Sequence, residues 1–166
     1  MTSPILVRPT EAADVSALLE LQERVYPTIA PWRRDQLVRQ LKVFPQGQLV
    51  AVRDGQLLGC ASSLVIVWDE WADEHTWKQI TASGTFQTHN PKGFTLYGAE
   101  VFVDPQARGQ RVGHLLYEGR RQLCRQLNLR RIIACGRLPG YHTLANEMSV
   151  ELYAKKSSGA TCRTPC

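Results

Sequence analysis

The chain has 166 residues and a formal net charge of +5, and its 43% hydrophobic and 21% charged content is ordinary for one globular domain. A domain of this size can bury a stable core without metal or disulfide staples. No apolar stretch approaches the length of a membrane span, and residues 4–8 are too short for the core of a signal peptide, so we expect a cytoplasmic protein without a membrane partner.

The first half of the chain predicts a strand, two helices and a hairpin. Thr10 is the expected N-cap of the first helix, because acidic residues follow it, and apolar spacing carries that helix to about Tyr26. The turn Asp54-Gly55 between two apolar runs is typical of a β-hairpin. The predicted elements are a strand over 4–8, a helix from Thr10 to Tyr26, a helix over 33–43, and strands over 48–53 and 56–68.

The second half predicts a long connection followed by a strand, a helix and a strand. The polar connection over 69–93 is either a functional lid or substrate wall, or an insertion that packs on the sheet. After it we expect a strand over 94–103, an amphipathic helix over 112–127, a strand over 130–135 and a short helix over 148–156.

A basic segment covers much of this second half. Residues 105–137 contain eight arginines against one acid, Glu118, so the segment carries +7 and the rest of the chain −2. This charge indicates a polyanionic partner, either a nucleic acid or a phosphorylated cofactor, or else a solvated helix face. A single-strand groove would interleave aromatic residues with the charges, but the segment holds only Tyr117, so we expect no nucleic-acid partner.

Residues 108–113, Arg-Gly-Gln-Arg-Val-Gly, form a turn between the predicted strand and helix. Gly109 and Gly113 let main-chain N–H groups crowd around an anion without Cβ obstruction, and the positive end of the helix dipole suits a pyrophosphate. Arg108 and Arg111 can add charge-assisted contacts. The Walker pattern and the dinucleotide fingerprint are absent from the chain, so the turn predicts a phosphate site of another class.

This turn resembles motif A of the GNAT acyltransferase superfamily, whose pattern is Q/R-x-x-G-x-G/A. Arg108 fills the first place and Gly113 the last, whereas Arg111 stands where the middle glycine usually is. The order of the predicted elements also matches that family over about residues 4–156. The resemblance implies an acyl-CoA-binding domain over residues 1–156 with a GNAT-type α+β fold. That fold is a mixed, mostly antiparallel sheet with helices on both faces, here without the usual C-terminal strands.

The resemblance also implies a cofactor and a reaction. Coenzyme A or acetyl-CoA would lie along the central strand, with its pyrophosphate on the main chain of the turn and its thioester and pantetheine on strand N–H groups. The implied cofactor-binding residues are Val101, Phe102, Val103, Arg108, Gly109, Gln110, Arg111, Val112 and Gly113. The implied enzyme is an N-acyltransferase that moves an acetyl or other acyl group to an amine of a small molecule or peptide.

Three stretches resemble one subgroup more closely, the N-terminal acyltransferase domain of fused acyltransferase–carbon-nitrogen hydrolase proteins. They are residues 97–105, 121–130 and 136–142. The resemblance implies a carbon-nitrogen hydrolase partner. It leaves open a second function, a non-catalytic CoA-binding or regulatory module of such a hydrolase, and it leaves a homodimer open as well.

Residues 157–166 differ in character from everything before them. Reading the same codons one nucleotide earlier permits a sequence that resembles the continuation of the fused family. We therefore interpret residues 157–166 as a tail, either natural or produced by a frameshift.

Glu100 is the candidate general base. An acid in an otherwise apolar central strand needs a reason, and alternation places Glu100 on one face with Phe102, opposite Val101 and Val103. Acyl transfer to an amine needs a base, because a lysine-like ammonium has a pKa of about 10.4. The alternative is that Glu100 is the structural partner of a buried arginine.

Tyr141 and Tyr153 are the candidate acids that would protonate the leaving thiolate. Tyr153 stands roughly where many GNAT proteins carry a tyrosine near the thiol, and for both residues the alternative role is packing. His75, His89 and His142 either line the acceptor pocket or are solvated. No histidine pair has metal-ligand spacing and the five cysteines are an odd number, so we expect neither a metal site nor a disulfide framework.

Overall fold

The computed structural model describes residues 3–136 and 140–158, except for the side chains of residues 157 and 158. The chain divides into two compact units, Met1–Cys135 and Gly136–Cys166. Arg137 of the basic segment and residues 159–166 of the predicted tail lie outside the described residues.

The first unit is built on one mixed sheet, which within the described residues has five strands in the order β1-β2-β3-β4-β5. The pairs β1–β2, β2–β3 and β3–β4 are antiparallel, and β4–β5 is parallel. The strands are β1 (Leu6–Pro9), β2 (Gln48–Arg53), β3 (Gln56–Ile66), β4 (Thr95–Val103) and β5 (Arg131–Ala134). The predicted mostly antiparallel α+β architecture is confirmed, and over the described residues the sheet ends at β5.

The β2–β3 hairpin is confirmed at the predicted turn. Asp54 and Gly55 both have positive φ, at 50° and 78°. A two-residue turn of this kind has the right twist for the flanking strands, and the Asp-Gly pair favours it because both residues tolerate left-handed backbone.

Helices cover both faces of the sheet, because alternate residues of each strand point to opposite sides. Leu49 and Ala51 of β2 pack with the long helix that follows β4, whereas Val50 and Val52 pack with the first two helices. The helices of the first unit are α1 (Val15–Val25), α2 (Arg34–Val43), α3 (Trp77–Ile80) and α4 (Val112–Gln126). The second unit, taken by itself, contains α5 (Tyr141–Leu144) and α6 (Val150–Ser158). Throughout the described chain, each helix is too short or too polar to cross a membrane.

The predicted N-cap at Thr10 is wrong. The main chain of Thr10 instead extends the β1–β2 ladder, since its N–H donates to the Gln48 carbonyl at 2.8 Å. The capping position belongs to Glu11, whose N–H donates to the carboxylate of Asp14 at 2.8 Å before a 3₁₀ turn leads into α1. The Asp14 carboxylate stands at the third position of the turn and satisfies the N–H of the capping residue, as in a capping box.

The connection between β3 and β4 packs on the sheet, as one of the two predicted alternatives has it. Ile80 and Phe86 of this connection are fully buried against Leu64, Ile66 and Tyr97 of β3 and β4. This packing explains why so long a connection keeps a fixed path.

His89 has a structural role in the same connection. Its Nδ1 accepts a hydrogen bond from the Val65 N–H at 3.0 Å, and its ring stacks on Phe44 with centroids 4.4 Å apart. Burial lowers the pKa of His89 from its ordinary value. The neutral ring is therefore the form that the fold stabilises, since only a neutral Nδ1 can accept the Val65 hydrogen bond.

Acidification should destabilise the protein through His89. The unfolded chain takes up the His89 proton near the ordinary pKa of 6.5, whereas the folded state takes it up only at lower pH. The free energy of unfolding should therefore fall as the pH drops below about 6.5 and level off below the folded-state pKa. Urea unfolding at about pH 7.5 and about pH 5.5 measures the difference.

The exposed His142 offers a matched control for this measurement. His89→Asn should reduce the stability difference between the two pH values, whereas His142→Asn should leave the wild-type difference in place. Equal differences in all three proteins would contradict a role for His89.

Candidate functional site

The turn between β4 and α4 is anchored by Asp104, which is 3% exposed. Its Oδ1 accepts a hydrogen bond from the Gln106 N–H at 2.9 Å, and its Oδ2 accepts one from Nη2 of Arg24 on α1 at 3.1 Å. The Asp104 N–H donates to the Leu58 carbonyl at 2.8 Å. The carboxylate thus caps the 3₁₀ turn Pro105–Ala107 and ties it to α1, which fixes the path into α4.

The N-terminal end of α4 presents unpaired main-chain amides. The first intrahelical bond runs from the Leu115 N–H to the Arg111 carbonyl at 3.1 Å. The amides of Val112, Gly113 and His114 come before it and have no acceptor within the described part of the chain. Free amides and the positive end of a 15-residue helix form a site that suits a phosphate group.

The predicted pyrophosphate turn is open to solvent. Residues 108–111 are exposed, and Gln110 is the member whose amide is engaged, since it donates to the Ala107 carbonyl at 3.4 Å. Gly109 has φ of 78°, and a Cβ built on it meets nothing within 4 Å. Arg111 has φ of 63°, in the left-handed region that favours glycine. This backbone explains why the family motif usually carries a glycine at the position that Arg111 occupies.

Only some of the arginines of the basic segment are exposed. Arg108 and Arg111 are exposed at the front of α4. Arg121 and Arg125 pair with Glu118 on the same helix, at 3.0 and 3.4 Å. A further arginine of α4, Arg120, is 1% exposed, so its assignment to a basic surface is wrong. The turn is therefore an open, cationic part of the segment, and Arg130 and Arg131 are exposed farther along it.

Strands β4 and β5 part in the middle of β4. Their parallel pairing ends at Gly98 and Ala134. At the same level the β3–β4 register shifts between Ser62, which pairs with Glu100, and Ser63, which pairs with Gly98. The shift leaves Ala99 as an extra residue, a β-bulge, and a bulge bends its strand away from regular pairing. Beyond it, the β5 side of β4 has no strand partner among the described residues.

The main chain of β4 turns alternate amides toward that unpaired side. Since the Asp104 N–H bonds to β3, the antiparallel pattern directs the amide of Phe102 to β3 too and directs those of Val101 and Val103 away from it. The Val103 N–H is therefore open to a ligand, whereas the Val101 N–H already donates to the Glu100 carboxylate at 3.1 Å. The amide of Phe102, which was predicted with them, is directed into the sheet instead.

Glu100 lies beside the bulge, on the face predicted for it. Its Oε1 accepts hydrogen bonds from the Tyr26 hydroxyl at 3.2 Å and from the Val101 N–H at 3.1 Å. Tyr26 ends α1 and packs edge-on against Phe102, with ring centroids 6.1 Å apart. The alternative role predicted for Glu100 was that of a partner for a buried arginine. Arg120 is such an arginine, but it binds the main chain of Glu100, since it donates to the Glu100 carbonyl at 2.5 Å.

The two candidate tyrosine acids lie in the second unit. The rings of Tyr141 and Tyr153 are 5.3 Å apart, and the Tyr141 hydroxyl donates to the Met148 carbonyl at 3.2 Å. His142 is exposed in the same unit. His75 in the first unit packs edge-on against Trp68 and Tyr97.

Sequence reasoning missed three residues that contact the bulge. Tyr26 binds the Glu100 carboxylate, Arg120 binds the Glu100 carbonyl, and the Trp77 Nε1–H donates to the Ala99 carbonyl at 2.9 Å. A signal existed for Arg120, because it is four residues from Leu116 and three from Leu123 on the apolar face of α4. Tyr26 and Trp77 carry no such signal, since each lies far along the chain from the β4 residue that it contacts.

A family model matches most of the chain. The model of the acetyltransferase (GNAT) family matches residues 15–158. The uncharacterized N-acetyltransferase YkwB of Bacillus subtilis is 32% identical over 155 residues, which cover 91% of this chain and 69% of YkwB. The probable hydrolase YhcX of the same organism is 42% identical over 152 residues, which cover 92% of this chain and 30% of YhcX. The chain thus spans less than a third of YhcX, which fits a fused arrangement with a hydrolase.

Solved structures share the fold. The loading GNATL domain of CurA from Lyngbya majuscula superposes with a TM-score of 0.73 at 20% identity, over 85% of this chain and 69% of that one. The GNAT-like decarboxylase GphF in complex with isobutyryl-CoA gives 0.68 at 22% identity, over 96% of this chain and 80% of that one.

Two glycine substitutions at the front of α4 should distinguish the effect of backbone strain from the effect of steric room for a side chain. Gly109→Ala should destabilise the fold by about 1 kcal/mol, because alanine resists positive φ although its methyl group meets no atom. Gly113→Ala should stabilise it by about 0.5 kcal/mol, because Gly113 is helical and its new Cβ lies 3.8 Å from Val103, an ordinary contact. Urea unfolding measures both, and a stabilising Gly109→Ala would refute the strain.

Proposed function

We propose, since the chain belongs to the acetyltransferase (GNAT) family, that it moves an acyl group from a coenzyme A thioester to an amine acceptor. The observation that carries the proposal is the open front of α4. There the unpaired amides of Val112, Gly113 and His114 follow an exposed turn with two cationic side chains. A diphosphate is the part of coenzyme A that such a surface fits.

The described residues fit the rest of the cofactor as well. Arg108 and Arg111 would add charge-assisted contacts to the diphosphate, while Gly109 keeps the turn free of a side chain. Val101 and Val103 would offer main-chain amides along β4, on the side where β5 has parted from it, and the Val101 amide would be shared with the Glu100 carboxylate. When bound, the cofactor supplies an acyl group activated as a thioester.

Glu100 is the proposed general base. An amine attacks only when it is deprotonated, and its ammonium form has a pKa of about 10.4, so a carboxylate near the reacting centre is needed to accept the proton. Tyr26 donates to Oε1 of Glu100 and so orients the carboxylate. The Val101 N–H, which donates to the same oxygen, brings the proposed base and a proposed ligand-binding amide into direct contact.

Tyr153 and Tyr141 are the proposed acids for the leaving thiolate. Both phenols belong to the second unit, where their rings pack on each other. A Tyr153→Phe variant separates the proton-donating role from packing, since it removes only the hydroxyl.

A second candidate function is a non-catalytic CoA-binding module of a carbon-nitrogen hydrolase. The observation that favours it is the share of YhcX, less than a third, that the chain spans. This function shares the cofactor site with the first but needs no base. Acyl-CoA binding without transfer to any amine of a broad panel would support the module and reject the transferase.

Coenzyme A affinity should depend on the two exposed arginines of the turn. The double variant Arg108→Ala and Arg111→Gly should weaken coenzyme A binding by about tenfold in titration calorimetry, because two charge-assisted contacts are lost. Glycine at position 111 keeps the left-handed backbone, so the loop stays intact.

Arg39, exposed on α2, supplies the control for lost charge. Arg39→Ala should keep wild-type affinity. Pantetheine, which has no diphosphate, should bind all three proteins equally. An unchanged affinity in the double variant would refute the assignment of the turn.

Turnover should depend on Glu100 more than acyl-CoA affinity does. Glu100→Gln should lower kcat by about 100-fold, since a general base is worth about that much or more, while calorimetric affinity for acetyl-CoA stays close to wild type. Tyr26→Phe should give a smaller loss of kcat, because it leaves the Glu100 carboxylate in place but removes the hydrogen bond that orients it. Release of the free thiol over an amine panel gives the rates, and a wild-type kcat in Glu100→Gln would remove Glu100 as the base.

A further inference from the structure

Arg120 is a buried cation that forms no ion pair within the described part of the chain. It lies on the inner face of α4 and is 1% exposed. No carboxylate of the described residues forms an ion pair with it. Burial lowers the pKa of its guanidinium from the ordinary value, which reflects the cost of taking the charge out of water. Such a charge destabilises a core unless its hydrogen bonds repay the cost, so its contacts show why it is there.

The guanidinium bridges two strands. Its Nη2 donates to the Ser62 carbonyl at 2.9 Å and to the Glu100 carbonyl at 2.5 Å. Ser62 and Glu100 are the paired residues of β3 and β4 next to the β-bulge. Its Nε donates to the Ser63 hydroxyl at 3.0 Å, on the other side of the register shift. One side chain therefore binds main-chain or side-chain oxygens on both sides of the bulge.

Gly98 makes room for this arrangement. A Cβ built on Gly98 would lie 3.1 Å from Cζ and from Nη1 of Arg120, and 3.3 Å from the Cβ of Ala134. Gly98 and Ala134 are also the last parallel pair of β4 and β5. The guanidinium thus lies at the point where the two strands part.

A second side chain holds the same bulge. Trp77 of α3 donates from Nε1 to the carbonyl of Ala99 at 2.9 Å. The carbonyls of Ala99 and Glu100, two consecutive residues, are therefore held by donors from two different elements. A bulge disrupts the ladder locally, and these donors add hydrogen bonds to the main chain at that point.

We propose that Arg120 is a positioning residue for the acyl transfer proposed above, on which this inference rests. By holding the Glu100 carbonyl, it sets the main chain from which the Glu100 carboxylate and the Val101 amide project. Without it the bulge can relax toward regular pairing. A one-residue change of register would turn the Glu100 side chain to the other face of the sheet, and it would do the same to Val101.

The test compares Arg120→Met, which keeps the length of the side chain but removes its donors, with Leu123→Ala. Leu123 lies on the same buried face of α4 and contacts no residue of the bulge through a hydrogen bond. Each protein is measured for Tm, for the amide NMR shifts of residues 98–101 without ligand, for acetyl-CoA affinity and for kcat. Rates are taken at a temperature where all variants are folded.

Arg120→Met should shift the amide resonances of residues 98–101 and lower kcat by about 10- to 100-fold, as expected of a small misplacement of reacting groups. Acetyl-CoA affinity should stay within about threefold, because the front of α4 is untouched. Leu123→Ala should lower Tm yet keep wild-type kcat. Arg120→Lys, which keeps one donor, should lie between wild type and Arg120→Met, and it replaces Arg120→Met in the comparison if that variant does not fold.

Wild-type kcat and unshifted amides in Arg120→Met would overturn the proposal, and so would an equal loss of kcat in Leu123→Ala. The amide comparison needs no substrate. If wild-type protein bound no acetyl-CoA, the proposed function would fail, while the NMR shifts would still decide whether Arg120 holds the bulge.

Discussion

The parting of β4 from β5 at Gly98 and Ala134 is the constraint on which the candidate site depends. A continuous ladder would occupy the amides of Val101 and Val103, and no main-chain donor would be left for a ligand along β4. The bulge at Ala99 bends β4 out of that ladder and leaves those amides unpaired by strand. The pairing of β4 with β5 therefore ends at the level where the proposed chemistry needs main-chain N–H groups that no strand occupies.

The C-terminal end of α1 connects the two halves of the site. Arg24 binds the carboxylate of Asp104, which caps the turn before α4, and Tyr26 binds the carboxylate of Glu100 on β4. These two residues are separated by one position. A shift of α1 would therefore disturb the proposed phosphate-binding turn and the proposed base together. The same helix packs on the sheet through Leu18 and Leu21, so its position is set by the core and not by the polar contacts alone.

Periodicity made most of the fold predictable, because each strand and helix buries a regular set of apolar residues. The strand Gln48–Arg53, the Asp-Gly hairpin and the long helix after the glycine-rich turn follow directly from local pattern. Arg120 was not predictable from charge, since counting arginines treats each one as surface. Tyr26 was not predictable because its partner Glu100 is 74 positions away. The N-cap prediction for Thr10 was wrong because a residue type that favours helix caps can also extend a strand.

Two arginines of one loop-and-helix unit occupy positions that local rules disfavour. Arg111 adopts a left-handed backbone at φ of 63°, which costs a non-glycine residue about 1–2 kcal/mol. Arg120 places a guanidinium in a core where an aliphatic side chain would pack without loss of hydration. Other positions depart from local rules as well, since Ala82, Ser83 and Phe86 of the connection between β3 and β4 also have positive φ. The two arginines are linked by position, because Arg111 directly precedes α4 and Arg120 lies on it, and the front of this helix is proposed to hold the diphosphate. In the proposed function the cationic turn and the buried guanidinium would act together: the turn would bind the ligand, and the guanidinium would hold the strand that the ligand meets.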